Sequence, residues 1–143
     1  MRFWDSSAIV PLVVRQPLSK AAEGWRESDP EIVVWALSPV EVVSAFFRLV
    51  RTGELTQAKA LRAQELSLEL FQECAIVDDV PSVSAVALRL LRTHPLRAAD
   101  ALQLGAAIVW AGGAPASRVF CTLDRKLGMA AELDGFRVMP SPR

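Results

Sequence analysis

Ile32-Val33-Val34-Trp35-Ala36-Leu37-Ser38-Pro39-Val40-Glu41-Val42-Val43 is the stretch that decides the fold. Ile32 to Leu37 is an unbroken apolar run rich in β-branched side chains, which reads as a strand buried on both faces. Ser38-Pro39 then opens a helix, because serine suits a helix cap and proline is tolerated in the first turn. That helix is predicted to reach about Thr52, where Gly53 stops it. A two-sided buried strand passing straight into a helix is the unit of a parallel sheet, since parallel strands need crossover connections.

The same alternation extends in both directions. Arg2 to Trp4 reads as a short buried strand ending at Asp5. Ser7 to Arg15 and Leu18 to Glu27 read as helices, the first despite Pro11 and closed by Pro17. Downstream, Thr56 caps a long helix to about Cys74, and Ala75 to Val77 is a third strand. Pro81 leads a helix from about Ser82 to Arg92, and His94-Pro95 breaks it. Leu96 to Ala111 is a helix apolar almost all round, ended by Gly112-Gly113. Arg118 to Thr122 is a fourth strand, Arg125 to Glu132 a short helix, and Phe136 to Met139 a last strand. The expected fold class is α/β: a three-layer α/β/α domain around a mainly parallel sheet of four to five strands, with residues 1–143 forming one domain.

Composition narrows the function classes. The chain has 143 residues, 52% of them hydrophobic, which is ample for a core. No apolar run reaches the roughly 18 residues that span a bilayer. The start, Met1-Arg2-Phe3-Trp4-Asp5, puts an acid where an export signal needs an apolar stretch. Cys74 and Cys121 each lie in apolar surroundings and read as reduced thiols, so a cytoplasmic location is expected. The 16 basic and 16 acidic residues cancel, which speaks against bulk electrostatic gripping of nucleic acid. Thirteen of the basic residues are arginine, however, the better fork for phosphate.

Four acids stand at edges of apolar elements: Asp5, Glu41, Asp100 and Asp124. Desolvating a carboxylate is costly, so each needs a partner, and a hard divalent cation is the natural shared one. Each also has an ordinary reading. Ser38-x-x-Glu41 fits a capping box. Asp124 precedes a short helix and fits an N-cap, and Asp5 before Ser6-Ser7 fits a turn or a cap. Asp100 lies in the first turn of the most buried helix, where the helix dipole alone is a weak reason for an acid. Asp5, Glu41 and Asp124 fall at the carboxyl edge of a parallel sheet, where sites form. Topology alone does not bring Asp100 to them. Asp78-Asp79 reads as a solvated turn, and the chain has no glycine-rich phosphate loop.

Four segments, in this order and spacing, carry a resemblance. They are the opening strand ending Asp5-Ser6-Ser7-Ala8; Ser38-x-x-Glu41-Val42-x-Ser44-Ala45; Leu96-Arg97-Ala98-Ala99-Asp100-Ala101-Leu102-Gln103-Leu104; and Phe120-x-Thr122-Leu123-Asp124-Arg125-x-Leu127. The whole chain resembles a PIN-domain ribonuclease of the type found as VapC toxins in toxin–antitoxin pairs. Gln103 departs from the histidine many relatives carry there; it lies outside the acidic set.

The resemblance implies that Asp100 joins the other three acids in one pocket. It implies a Mg²⁺-dependent (or Mn²⁺-dependent) endoribonuclease in which Asp5, Asp100 and Asp124 hold the metal and Glu41 ligates a second ion or orients water. Arg97, Thr122 and Arg125 are the candidate substrate-binding residues: the two arginines beside the acids would hold RNA phosphates, or are merely solvated charges, and Thr122 is the small hydroxyl residue before the last acid. It further implies a homodimer and a cognate antitoxin. Two other classes compete: a catalytically silent PIN-like module that only binds partners, and a phospho-accepting receiver module, for which Asp5 stands alone at the first strand and no suitable lysine follows the last.

Overall fold

The structure is a computed structural model describing residues 1–141. Five strands, β1 (Arg2–Trp4), β2 (Ile32–Trp35), β3 (Ala75–Val77), β4 (Val119–Cys121) and β5 (Arg137–Met139), form one sheet in the order β3-β2-β1-β4-β5. Every pairing is parallel, with Phe3 opposite Val33 on one side and Phe120 on the other. Seven α-helices connect them among the described residues: α1 (Ser6–Val13), α2 (Ser19–Ser28), α3 (Ser38–Arg51), α4 (Gln57–Gln72), α5 (Val80–Thr93), α6 (Ala98–Trp110) and α7 (Arg125–Leu133).

The period-two alternation of the strands assigns the layers. Phe3, Val33, Trp35 and Phe120 point to one face and pack with α5, α6 and α7. Trp4, Ile32, Val34 and Cys121 point to the other and pack with α1 to α4. Both faces are therefore covered, giving the expected α/β/α layering. Phe3, Trp4, Trp35 and Phe120 are essentially inaccessible to solvent, and each contributes on the order of 1.5–3 kcal/mol by burial. Phe3 stacks on Phe120 across the β1–β4 seam with ring centroids 5.4 Å apart.

Several boundaries differ from expectation, each for a local reason. Helix α1 stops at Val13 rather than Arg15, because Val14 is already extended (φ −112°, ψ 129°). Helix α5 begins at Val80, two residues early. Asp79, expected in a solvated turn, caps it by accepting from Ser82 N at 3.1 Å. Helix α6 begins at Ala98 rather than Leu96. Cys74 and Cys121 are free thiols, the first half-buried and the second buried. No helix is long and apolar enough to cross a membrane among the described residues.

Strand order also locates the site. The chain leaves β1 toward β2 and β3, then returns to the other side of β1 with β4. The direction of winding thus reverses between β1 and β4, and in parallel sheets ligand crevices open beyond the carboxyl ends of the strands at such a point.

Candidate active site

Asp5 directly follows β1 and Asp124 stands between β4 and α7, so the two flank the switch point. Glu41 lies in the first turn of α3 and Asp100 in the first turn of α6. All four line one cleft of about 540 Å³, together with Ser6, Ser7, Gln16, Ser44 and Arg48. The cleft thus gathers carboxylates from four separate elements, including Asp100.

Capping and site geometry are compatible here. Asp5 is the N-cap of α1, and its Oδ2 accepts from Ser7 N at 3.2 Å. The same oxygen accepts from Thr122 Oγ1 at 2.9 Å and from the Ser7 hydroxyl. Its other oxygen receives no hydrogen bond among the described residues. Asp124 caps α7 with Oδ1, which accepts from Leu127 N at 2.9 Å; its Oδ2 is likewise free of hydrogen bonds among the described residues. A carboxylate has two oxygens, so one can satisfy an orphan helix N–H while the other remains available.

Glu41 is placed differently. The capping-box reading fails: Leu37 occupies the cap position, with no side-chain cap bond, and Ser38 is buried. Glu41 Oε2 instead accepts from Ser6 Oγ at 3.3 Å, and Oε1 from Gln103 Nε2 at 3.2 Å. Its carboxyl is pushed up to about 7, first by burial and then by the charge of Asp5, with a smaller push from Asp100. Burial also raises the Asp5 carboxyl, against the hydrogen bonds from Ser7 and Thr122, and Asp100 adds to the rise. The Asp100 carboxyl is raised by burial and by Asp124, with Arg97 partly opposing. Each of these three carboxyls is therefore perturbed by another member of the set, the electrostatic sign of convergence.

The donor set fits a hard divalent cation. Anionic oxygens from several elements face one cleft, repel one another, and have Arg48 as the only basic lining residue described. The cage is not closed: among the described residues no three His, Cys, Asp or Glu side chains stand in ligating geometry.

The arginines stand at separate places around the cleft. Arg97 caps α6 without a side-chain cap bond and sits beside Asp100. Arg125 lines a neighbouring, more apolar groove that shares Thr122, Leu123 and Asp124 with the acidic cleft. Arg48, in the last turn of α3, lines the cleft itself. Sequence reading passed over Arg48, and nothing in its spacing singles it out. It noted Gln103 only as a departure from a family histidine outside the acidic set, although an amide among the buried apolar residues of α6 is the same kind of signal that identified the acids.

A parallel α/β/α domain with an acidic cleft at its switch point defines the class. The PIN-domain family model matches residues 2–132, and the chain belongs to that family. The chain is 29% identical over 139 residues to Ribonuclease VapC45 and to Ribonuclease VapC49, both of Mycobacterium tuberculosis. The alignment covers 97% of this chain and 94% of each relative. Among solved structures, FitAcB from Neisseria gonorrhoeae shares the fold, with a TM-score of 0.63 at 18% identity and 96% of both chains covered.

Proposed function

We propose that this chain is a divalent-metal-dependent endoribonuclease, the toxin of a toxin–antitoxin pair. The observation that carries the reading is the gathering of Asp5, Glu41, Asp100 and Asp124 around one cleft at the switch point of a PIN fold. The ribonuclease names of its relatives supply the substrate class.

Asp5, Asp100 and Asp124 are the residues that would hold Mg²⁺ or Mn²⁺. When bound, the ion supplies charge neutralisation at the phosphodiester and activation of water. Glu41, held by Ser6 and Gln103, orients the attacking water and takes its proton. The water oxygen bonds to phosphorus in line as the bond to the departing ribose oxygen breaks, and that oxygen takes up a proton from solvent. Arg48 holds a flanking phosphate within the cleft, and Arg125, with Arg97 beside Asp100, guides the strand at its rim. Thr122 fixes Asp5. The enzyme works in the cytoplasm as a single-domain protomer of a homodimer, and a cognate antitoxin holds it inactive.

The test is cleavage of RNA by purified protein. Cleavage is expected with Mg²⁺ or Mn²⁺, is lost with EDTA, and is lost in Asp5→Asn and in Asp100→Asn with circular dichroism unchanged. Retained cleavage in both variants overturns the reading, and a folded wild type that binds an antitoxin without cutting RNA identifies the silent module instead.

A further inference from the structure

Gln103 is the one polar side chain among the buried residues of α6, and it is completely inaccessible. Its amide nitrogen lies 2.7 Å from Ser6 Oγ, 3.1 Å from Ser38 Oγ and 3.2 Å from Glu41 Oε1. Each contact is tied to an acid. Ser6 directly follows Asp5, Ser38 shares the first turn of α3 with Glu41, and Gln103 stands one helical turn after Asp100. A single nitrogen therefore joins the elements that carry three of the four carboxylates.

The orientation of the amide is informative. The nitrogen has two hydrogens for three acceptors, while the buried amide oxygen has no partner among the described residues. Packing alone would favour the opposite orientation, with the oxygen accepting from the two serine hydroxyls. Only the nitrogen can meet the Glu41 carboxylate. The amide is thus oriented by the acid, and its acceptor is left idle. Ser6 relays the same arrangement, accepting from Gln103 and donating to Glu41 Oε2 at 3.3 Å.

We propose that Gln103 is the positioning residue of the acidic cleft: its amide N–H groups fix Glu41 and hold α1, α3 and α6 at the spacing their carboxylates need to share a cation. It touches neither RNA nor metal. The inference rests on the metal-dependent function proposed above. Outer-shell partners of this kind typically change metal affinity by about 10- to 100-fold when removed.

The experiment is Mn²⁺ titration of the RNA-free protein by calorimetry. Gln103→Met keeps the volume and removes both donors, whereas Gln103→His retains one. Gln103→Met is expected to weaken Mn²⁺ binding about tenfold or more with circular dichroism unchanged, and Gln103→His to fall between it and wild type. Equal affinity in wild type and folded Gln103→Met overturns the role of Gln103 alone. A wild type that takes no Mn²⁺ overturns the proposed function and this role with it. Should Gln103→Met not fold, Ser6→Ala removes the relay at the edge of the network. Weaker Mn²⁺ binding in that variant supports the proposal, and unchanged binding overturns it.

Discussion

The hydroxyl oxygens of Ser7 and Thr122 lie 3.2 Å apart across the crevice between β1 and β4, and both hydroxyls turn to the same carboxylate oxygen of Asp5. The contact spans 115 positions of sequence. Thr122 has a second task, since its oxygen also accepts from Asp124 N at 3.0 Å. Ser7 in turn accepts from Leu123 N at 2.8 Å. Two hydroxyls thus tie the Asp5 and Asp124 ends of the cleft together.

Thr122→Val keeps the shape and removes both of these bonds. It is expected to lower stability by about 1–3 kcal/mol, because a buried carboxylate loses a donor and Asp124 N loses its acceptor. Thr122→Ser is expected to stay near wild type. Urea denaturation of the two variants, with Mn²⁺ affinity measured alongside, checks this, and a wild-type-like Thr122→Val would contradict it.

The acids make the metal-free protein pH-sensitive in a defined direction. The Glu41 carboxyl moves from an ordinary 4.5 to about 7 on folding. A raised value means that the folded chain holds this proton more tightly than the unfolded chain. The stability it contributes is therefore fully present below the unfolded value and is lost as pH rises through the folded one. Asp5 and Asp100 shift in the same direction. Without metal, Tm is expected to fall between about pH 5 and pH 8. Glu41→Gln should flatten that fall, and Mn²⁺ should stabilise more at the upper end. A metal-free Tm that climbs over this interval would show that the acids do not crowd one another.

Arg48 is exposed, lines the acidic cleft, and has no ion-pair partner among the described residues. Arg48→Ala is expected to raise KM for RNA with little change in kcat. It should also reduce the salt dependence of binding by about 0.7 in the log–log slope, one phosphate contact on a single strand. Steady-state cleavage across salt concentrations measures both, and an unchanged KM would remove Arg48 from the substrate path.

Two helical glycines separate packing from propensity. A Cβ on Gly105 would stand 3.1 Å from Val83 O and 3.4 Å from Ala87 N, backbone atoms of α5 that cannot turn away. Gly105→Ala is expected to destabilise by about 1–3 kcal/mol as α5 and α6 are forced apart. Gly24 in α2 has nothing within 4 Å of that position, so Gly24→Ala should stabilise by about 0.5–1 kcal/mol. Thermal unfolding of both variants distinguishes the two effects.

The layering was legible because the strands alternate so plainly. Ile32 and Val34 serve one face while Val33 and Trp35 serve the other, and an all-apolar run is the only pattern that satisfies both. Asp5 and Asp124 were legible as acids after strands, and their capping reading was correct as well. What could not be foreseen was that capping uses only one oxygen of each. The Ser38-x-x-Glu41 box misled because Ser38 is drawn inward to Gln103, a contact 65 residues away that local spacing cannot encode. Asp100 reached the cleft by resemblance first and by structure afterwards. Its position depends on how α6 crosses the sheet, which helical periodicity leaves undetermined.

Asparagine caps a helix about as well as aspartate does. At Asp5 and Asp124 the capping oxygen and the oxygen left free belong to the same side chain, so exchanging the free oxygen for an amide nitrogen removes a charge while leaving both helices their first turn. Alanine at either position would fray a helix as well. The chain therefore stands a very small mutational distance from a folded copy of itself whose cleft keeps only Glu41 and Asp100 of its four carboxylates. On the proposed function, a copy that drifted there would keep its fold and outer surface while losing two of the carboxylates offered to the cation, so folded abundance would be no guide to whether a given copy still cuts.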